Sequence, residues 1–178
     1  MAYSVPATHK LNRPILQGLA SSSATKEHPL GYTVTSDDGT EFVYVYVEST
    51  AVETKAGRPL IWCDSTVDCV VTPDASEGDD TNSAAGSGGF AGLATMDGTD
   101  GANAYIFMQT KGLADCVLVS AVVIANDELI VSDEDCLDDV TTYVHSQTST
   151  TYKLIGKALT GADDGTSGLH STASVMLY

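Results

Sequence analysis

The chain has 178 residues, 43% of them apolar, and carries eight Lys and Arg against 24 Asp and Glu, a formal net charge of −16. That length holds one all-β domain or two small ones sharing a core, and the apolar share excludes wholesale disorder. A surface this acidic repels phosphate backbones and anionic headgroups, which are bound through clustered Lys and Arg, so neither nucleic acid nor a membrane is an expected partner.

The charge is unevenly placed. Residues 1–30 hold Lys10, Arg13 and Lys26 against Glu27, a balance of +2, which leaves −18 for residues 31–178. This opening segment contains three Pro and a Ser/Ala/Thr cluster and keeps no hydrophobic period. It reads as an extended arm, 1–30, that orders on a partner surface, with a frayed terminus as the plainer alternative. It lacks the basic start and continuous apolar stretch of a secretory signal. The longest strongly apolar run, "CVLVSAVVIA" at 116–125, is half a membrane span. The expectation is a soluble protein made in the cytoplasm.

Past the arm, alternation dominates. "YTVTS" at 32–36, the turn "DDGT" at 37–40 and "EFVYVYVES" at 41–49 predict a hairpin. Its second strand puts Phe42, Tyr44 and Tyr46 on one face and Val43, Val45 and Val47 on the other, so both faces are expected to be covered. A turn at Gly57-Arg58-Pro59 leads to a strand over 60–63, and "DCVVTP" at 68–73 is a further strand closed by Pro73. The polar, Gly-rich stretch 74–89 reads as a surface loop before "FAGLAT" at 90–95. "AYIFMQT" at 104–110, a turn at Lys111-Gly112 and "CVLVSAVV" predict a second hairpin. The turn at Asn126-Asp127, "ELIVS", a Val/Thr/Tyr stretch at 140–144, "LIGKALT" at 154–160 and a closing strand at 173–178 follow. Only "DEDCLDDV" at 133–140 has the composition for a turn or two of helix.

The same order of elements occurs twice. Aromatic strand, Gly or Asn turn, apolar strand, Val-rich strand, polar loop and a Gly-Leu or Gly-Lys strand run over about 39–95 and again over 102–160, some 63 residues apart from aromatic strand to aromatic strand. The predicted fold is therefore all-β, a compact barrel or sandwich of two related β motifs, 31–178, with an extended N-terminal arm.

Signatures of chemistry are sparse. The acidic run Asp133, Glu134, Asp135, Asp138 and Asp139 lacks the D-x-[DN]-x-[DN]-G spacing of a calcium loop and reads as a solvated turn. "DGTDGAN" at 97–103 and "DDGTSG" at 163–168 read as turns as well. "GSGGFAG" at 86–92 has no GK[ST] and no following helix to cradle a phosphate. His9, His28, His145 and His170 have no ligand neighbour at zinc spacing, and no G-x-S-x-G places a nucleophilic serine. Cys63, Cys69, Cys116 and Cys136 form no CxxC pair and read as buried small hydrophobes, with a Cys63–Cys69 disulfide as the alternative. Trp62 and the tyrosines are core or interface anchors. No catalytic residue, cofactor or metal is assigned, and the expectation is a protein that is not an enzyme.

Gly39 to Val45 ("G-x-x-F-V-Y-V"), Ala56 to Leu60 ("A-G-x-P-L"), Gly92 to Ala94, Tyr105 to Gly112 ("Y-x-F-M-Q-x-x-G"), Ile155 to Thr160 and Val175 to Leu177 resemble, in this order, the small decoration or cement proteins of tailed-bacteriophage heads. The resemblance spans most of 39–178 and rests on strand patterns. It implies a β-rich structural protein on the outer capsid surface of the virion. Such proteins are usually homotrimers on local three-fold axes that tie neighbouring major capsid protein subunits together against internal DNA pressure. On that reading the arm docks on the capsid, with Lys10 and Arg13 as electrostatic contacts and Ile15, Leu16 and Leu19 as apolar anchors. Competing readings are a tail-tube or other virion β-domain, a secreted carbohydrate-binding or adhesive β-sandwich, and a hydrolase on a β scaffold.

Overall fold

The computed structural model describes residues 2–4, 22–48, 52–63, 69–74, 89–97, 104–119, 123–131, 136–139, 154–161 and 171–178. Among them the chain is all-β, as its alternation predicts. The strands are β1 (Ala2–Ser4), β2 (Thr33–Thr35), β3 (Glu41–Val47), β4 (Pro59–Trp62), β5 (Val70–Thr72), β6 (Phe90–Ala94), β7 (Ala104–Val119), β8 (Glu128–Val131), β9 (Leu137–Asp139), β10 (Gly156–Ala158) and β11 (Ser171–Leu177).

The β2–β3 hairpin forms as expected, with Val34 opposite Phe42. Its turn is tied by side chains: the Ser36 hydroxyl donates to Asp38 Oδ1, and the Thr40 amide donates to the same oxygen at 3.0 Å. The Ser36 hydroxyl first, and then the Thr40 amide, hold the Asp38 carboxyl below its ordinary value of 3.8. A group whose folded pKa is depressed adds stability above its unfolded pKa and loses it as pH falls through the folded value. Asp38→Asn should therefore flatten the acid limb of the stability curve below about pH 4, by a small amount because the turn is exposed. Urea unfolding of both proteins across that range checks it.

The strands close into two rings that share β7. In the first, β3 pairs in parallel with β5 (Val47 opposite Val71), β5 with β4 (Val71 opposite Trp62) and β4 with β6 (Leu60 opposite Gly92). Ala94 of β6 then lies opposite Met108 of β7, and Ile106 of β7 opposite Val45 of β3, which completes a five-stranded barrel. In the second, Val119 of β7 pairs in parallel with Leu137 of β9, β9 with β8 (Leu137 opposite Val131) and β8 with β10 (Leu129 opposite Gly156). Ala158 of β10 lies opposite Val175 of β11, and Val175 opposite Ala114 returns the sheet to β7.

Strand order and pairing sense are the same in both rings, and the repeat extends to single hydrogen bonds. The Gly57 amide donates to Ala94 O at 2.8 Å, as the Asn126 amide does to Ala158 O at 2.8 Å. Both residues have left-handed backbones, φ 79° and 80°, a conformation in which Gly and Asn meet the least strain. Gly92 and Gly156 match too, since a Cβ on either would lie 2.7 or 2.5 Å from the carbonyl oxygen of Gln109 or Met176 on the adjacent strand.

Two sequence expectations need correction. The first is the turn at Lys111-Gly112: β7 is one strand through that point. Gly112 has φ 92°, and the pairing with β3 shifts register between Glu41 and Phe42. This bulge bends the strand and hands it from the first ring to the second without reversing it. The counterpart of β3 is thus the second half of β7, and the counterpart of the first half of β7 is β11. Aligning 42–47 with 105–109 matched two aromatic strands that are neighbours in one ring.

The second is 133–140, the one stretch with the composition for a turn or two of helix, of which Leu137–Asp139 is the strand β9. Its apolar Leu137 is fully buried and pairs with Val119, which outweighs the helical composition of the run. The strand expected at 140–144 lies outside the described residues. Cys63, Cys69 and Cys136 are thiols.

Each ring has its own core. Val45, Val47, Leu60, Val71, Ile106 and Met108 fill the first, and Val117, Val119, Leu129, Val131, Leu137 and Val175 the second. Ile61 and Leu93 point out of the first ring and are buried in the second cluster, with Phe90 packed against it, so the two rings are joined by packing as well as by β7.

Candidate docking surfaces

The first ring carries an aromatic outer face, and the chain's own N-terminal segment lies on it. Tyr44 and Phe107 are buried there with Val34, and Leu30, Tyr32, Phe42 and Tyr105 pack around them. His28 sits among the rings, 5.3 Å from Tyr32, 5.1 Å from Tyr44 and 5.6 Å from Phe107 between centroids. Backbone bonds fasten the cover. Ser23 and Tyr105 exchange amide bonds at 3.1 and 2.8 Å, the Gly31 amide donates to Tyr44 O at 2.9 Å, and the Glu27 amide donates to the Tyr44 hydroxyl at 3.0 Å. Residues 22–30, assigned to the arm by composition, thus rest on the body of the same chain. Sequence gave no sign of this, because His28 and Tyr32 meet partners as distant as Phe107 in the chain.

At the other end of the arm, Ala2–Ser4 pairs in parallel with Thr33–Thr35 and forms the last strand of the sheet. The proposed capsid contacts Lys10, Arg13, Ile15, Leu16 and Leu19 lie outside the described residues, as do His9, His145 and His170. Among the described residues no group of three or more His, Cys, Asp and Glu is placed to hold a metal ion.

The matched turns of the two rings differ in charge. In the second ring Asp127 Oδ2 accepts the Ile124 amide at 2.7 Å and ties its own turn. The equivalent residue of the first ring is Arg58, which is 7% exposed and has a buried Nε with no acceptor among the described residues. In the sequence Arg58 was an ordinary turn residue between Gly and Pro, and only the repeat exposes the contrast.

No family model matches the chain, and no curated protein does. Among solved structures it is similar to the head fiber gp8.5 N base in bacteriophage phi29, at 13% identity over 77% of this chain and 94% of that one, with a TM-score of 0.48.

Proposed function

We propose that the chain is a non-enzymatic structural protein of a tailed-phage head, which decorates the outer capsid surface as a homotrimer and ties neighbouring major capsid protein subunits together. The observation that carries this reading is the edge of the sheet, where Ala2–Ser4 adds as a strand onto β2. Strand addition draws its affinity from main-chain hydrogen bonds and needs only an extended segment and an open edge. The same segment offered to a capsid subunit would use the same chemistry. The stretches that resemble the decoration proteins also fall on strands and turns of both rings, from Gly39–Val45 in β3 to Val175–Leu177 in β11. The phi29 likeness is too distant to add weight.

Deleting residues 2–21 leaves the Ser23–Tyr105 bridge and the aromatic cover in place. The shortened protein should stay folded and lose most of its binding to expanded capsids in a cosedimentation assay. Full affinity without those residues would refute the docking role of the arm.

A further inference from the structure

The turn that opens β4 holds a cation that the fold does not use. Position 58 has the same main-chain role as position 127 of the second ring. The Arg58 amide donates to Lys55 O at 3.0 Å, as the Asp127 amide does to Ile124 O at 3.2 Å. The Arg58 and Asp127 carbonyls accept the Ala94 and Ala158 amides, both at 2.9 Å. The side chains differ in what they do. Asp127 closes its own turn through Oδ2, whereas the first ring's turn is closed by Asp97, whose Oδ1 accepts the Ala56 amide at 2.9 Å. The guanidinium has no part in holding the turn.

Burial makes that idle charge unfavourable. Arg58 is 7% exposed, its Nε is sealed from solvent, and among the described residues no hydrogen bond or ion pair engages any of its three side-chain nitrogens. A guanidinium taken out of water loses hydration that only an acceptor restores, which is why buried arginines stand against carboxylates or other oxyanions. The described acids of this turn are engaged elsewhere: Glu53 pairs with Lys55 at 2.9 Å, and Asp97 serves the Ala56 amide. The two terminal nitrogens of Arg58 are not sealed as Nε is, so the tip of the fork is open to a group from outside.

We infer that Arg58 is a socket for a carboxylate offered by a neighbouring protein subunit. A planar guanidinium meets a carboxylate through two parallel hydrogen bonds, a match in geometry as well as charge. Phosphate has the same geometry, but the net charge of −16 turns away nucleic acid and anionic lipid, its macromolecular carriers. Asp or Glu of a protein remains as the matching group. A charge kept for binding in this way lowers the stability of the free chain, and the pair forms only in the assembly. The neighbour is a capsid subunit or a second copy of this chain, so the inference takes its partners from the reading above and adds the residue that grips them.

Arg58→Met keeps most of the stem and removes the charge. Thermal unfolding of both full-length proteins, in sodium chloride and in sodium acetate at equal ionic strength, gives the first readout. In chloride the variant should melt at the temperature of the unaltered chain or above it, because an unpaired buried charge is gone. Acetate should raise the midpoint of the unaltered chain by about 2–4 °C more than that of the variant. A variant that melts lower in chloride would mean that the guanidinium has a partner within its own chain, and overturns the inference. An equal response of the two proteins to acetate overturns it as well. Two assays then name the source of the carboxylate. Arg58→Met should bind expanded capsids about tenfold more weakly in cosedimentation if a capsid subunit supplies it, or dissociate at about tenfold higher concentration in light scattering if a second copy does. No change in either assay overturns the inference. An unaltered chain that neither binds capsids nor associates overturns the reading above instead, and the acetate response then judges Arg58 alone.

Discussion

Gly112→Ala should lower the unfolding free energy by about 2–4 kcal/mol, the sum of a strained backbone and an overpacked contact. Gly112 has φ 92°, and an added Cβ would sit 2.8 Å from Thr40 Oγ1 and 2.9 Å from Thr40 Cα. The second of these is backbone, which has no rotamer to move into. Gly39→Ala supplies the comparison, because its φ is 85° but nothing lies within 4 Å of an added Cβ. It should cost about 1 kcal/mol, from the backbone alone. Because β7 is a wall of both rings, Gly112→Ala should shift the fluorescence of Trp62, in the first ring, and the far-UV dichroism of the whole chain together in urea. A loss no larger than that of Gly39→Ala would mean that the bend tolerates a side chain and that the close approach of Thr40 matters little.

Phe107→Ala should cost about 3–5 kcal/mol, the usual range for emptying a buried aromatic site. Phe107 is 1% exposed and touches the rings of His28, Tyr32 and Tyr44, so its removal opens a cavity on the outer face, away from the barrel interior. The first effect should be local: residues 22–32 should lift before the ring opens. Amide exchange should quicken at Gly31 and Ser23, whose bonds run to Tyr44 and Tyr105, while Ile106 and Met108 keep their protection until global unfolding. Unchanged exchange at Gly31 and Ser23 would show that the backbone bonds hold the cover without the aromatic contact.

"EFVYVYV" was legible because both of its faces are apolar and each finds a cover, valines inward and aromatics under the N-terminal segment. The doubled motif was legible because Gly57 and Asn126 occupy matching turns, and such turns leave a local signature. Gly112 was not, because Lys-Gly between two apolar runs looks the same whether the chain reverses or merely bends. What decides is that Glu41, the first residue of β3, lies opposite Lys111 while Leu177, the last of β11, lies opposite Gly112, partners far away in the chain on either side. Strand β9 was hidden for a related reason: with Asp on both sides, Leu137 alone marks it, and its partner Val119 is distant in the chain. The candidate docking surface was half legible. A segment of different charge stood out at residues 1–30, yet nothing local says that 22–30 returns to its own body.

The shared strand has a mechanical consequence. Two domains joined by a linker swing about it, and tension between them falls on whatever weak contacts bridge the gap. Here no linker exists: the wall of one ring continues as the wall of the next, a single strand of roughly 50 Å at about 3.3 Å per residue. A pull along that direction is borne by covalent backbone through the junction, and the hydrogen bonds of β3 on one side and β11 on the other are loaded in shear along their length, many at once, in place of opening one after another like a zip. The body should therefore be stiff along β7, and whatever flexing the protein allows its attachments must come from the segments that leave the rings.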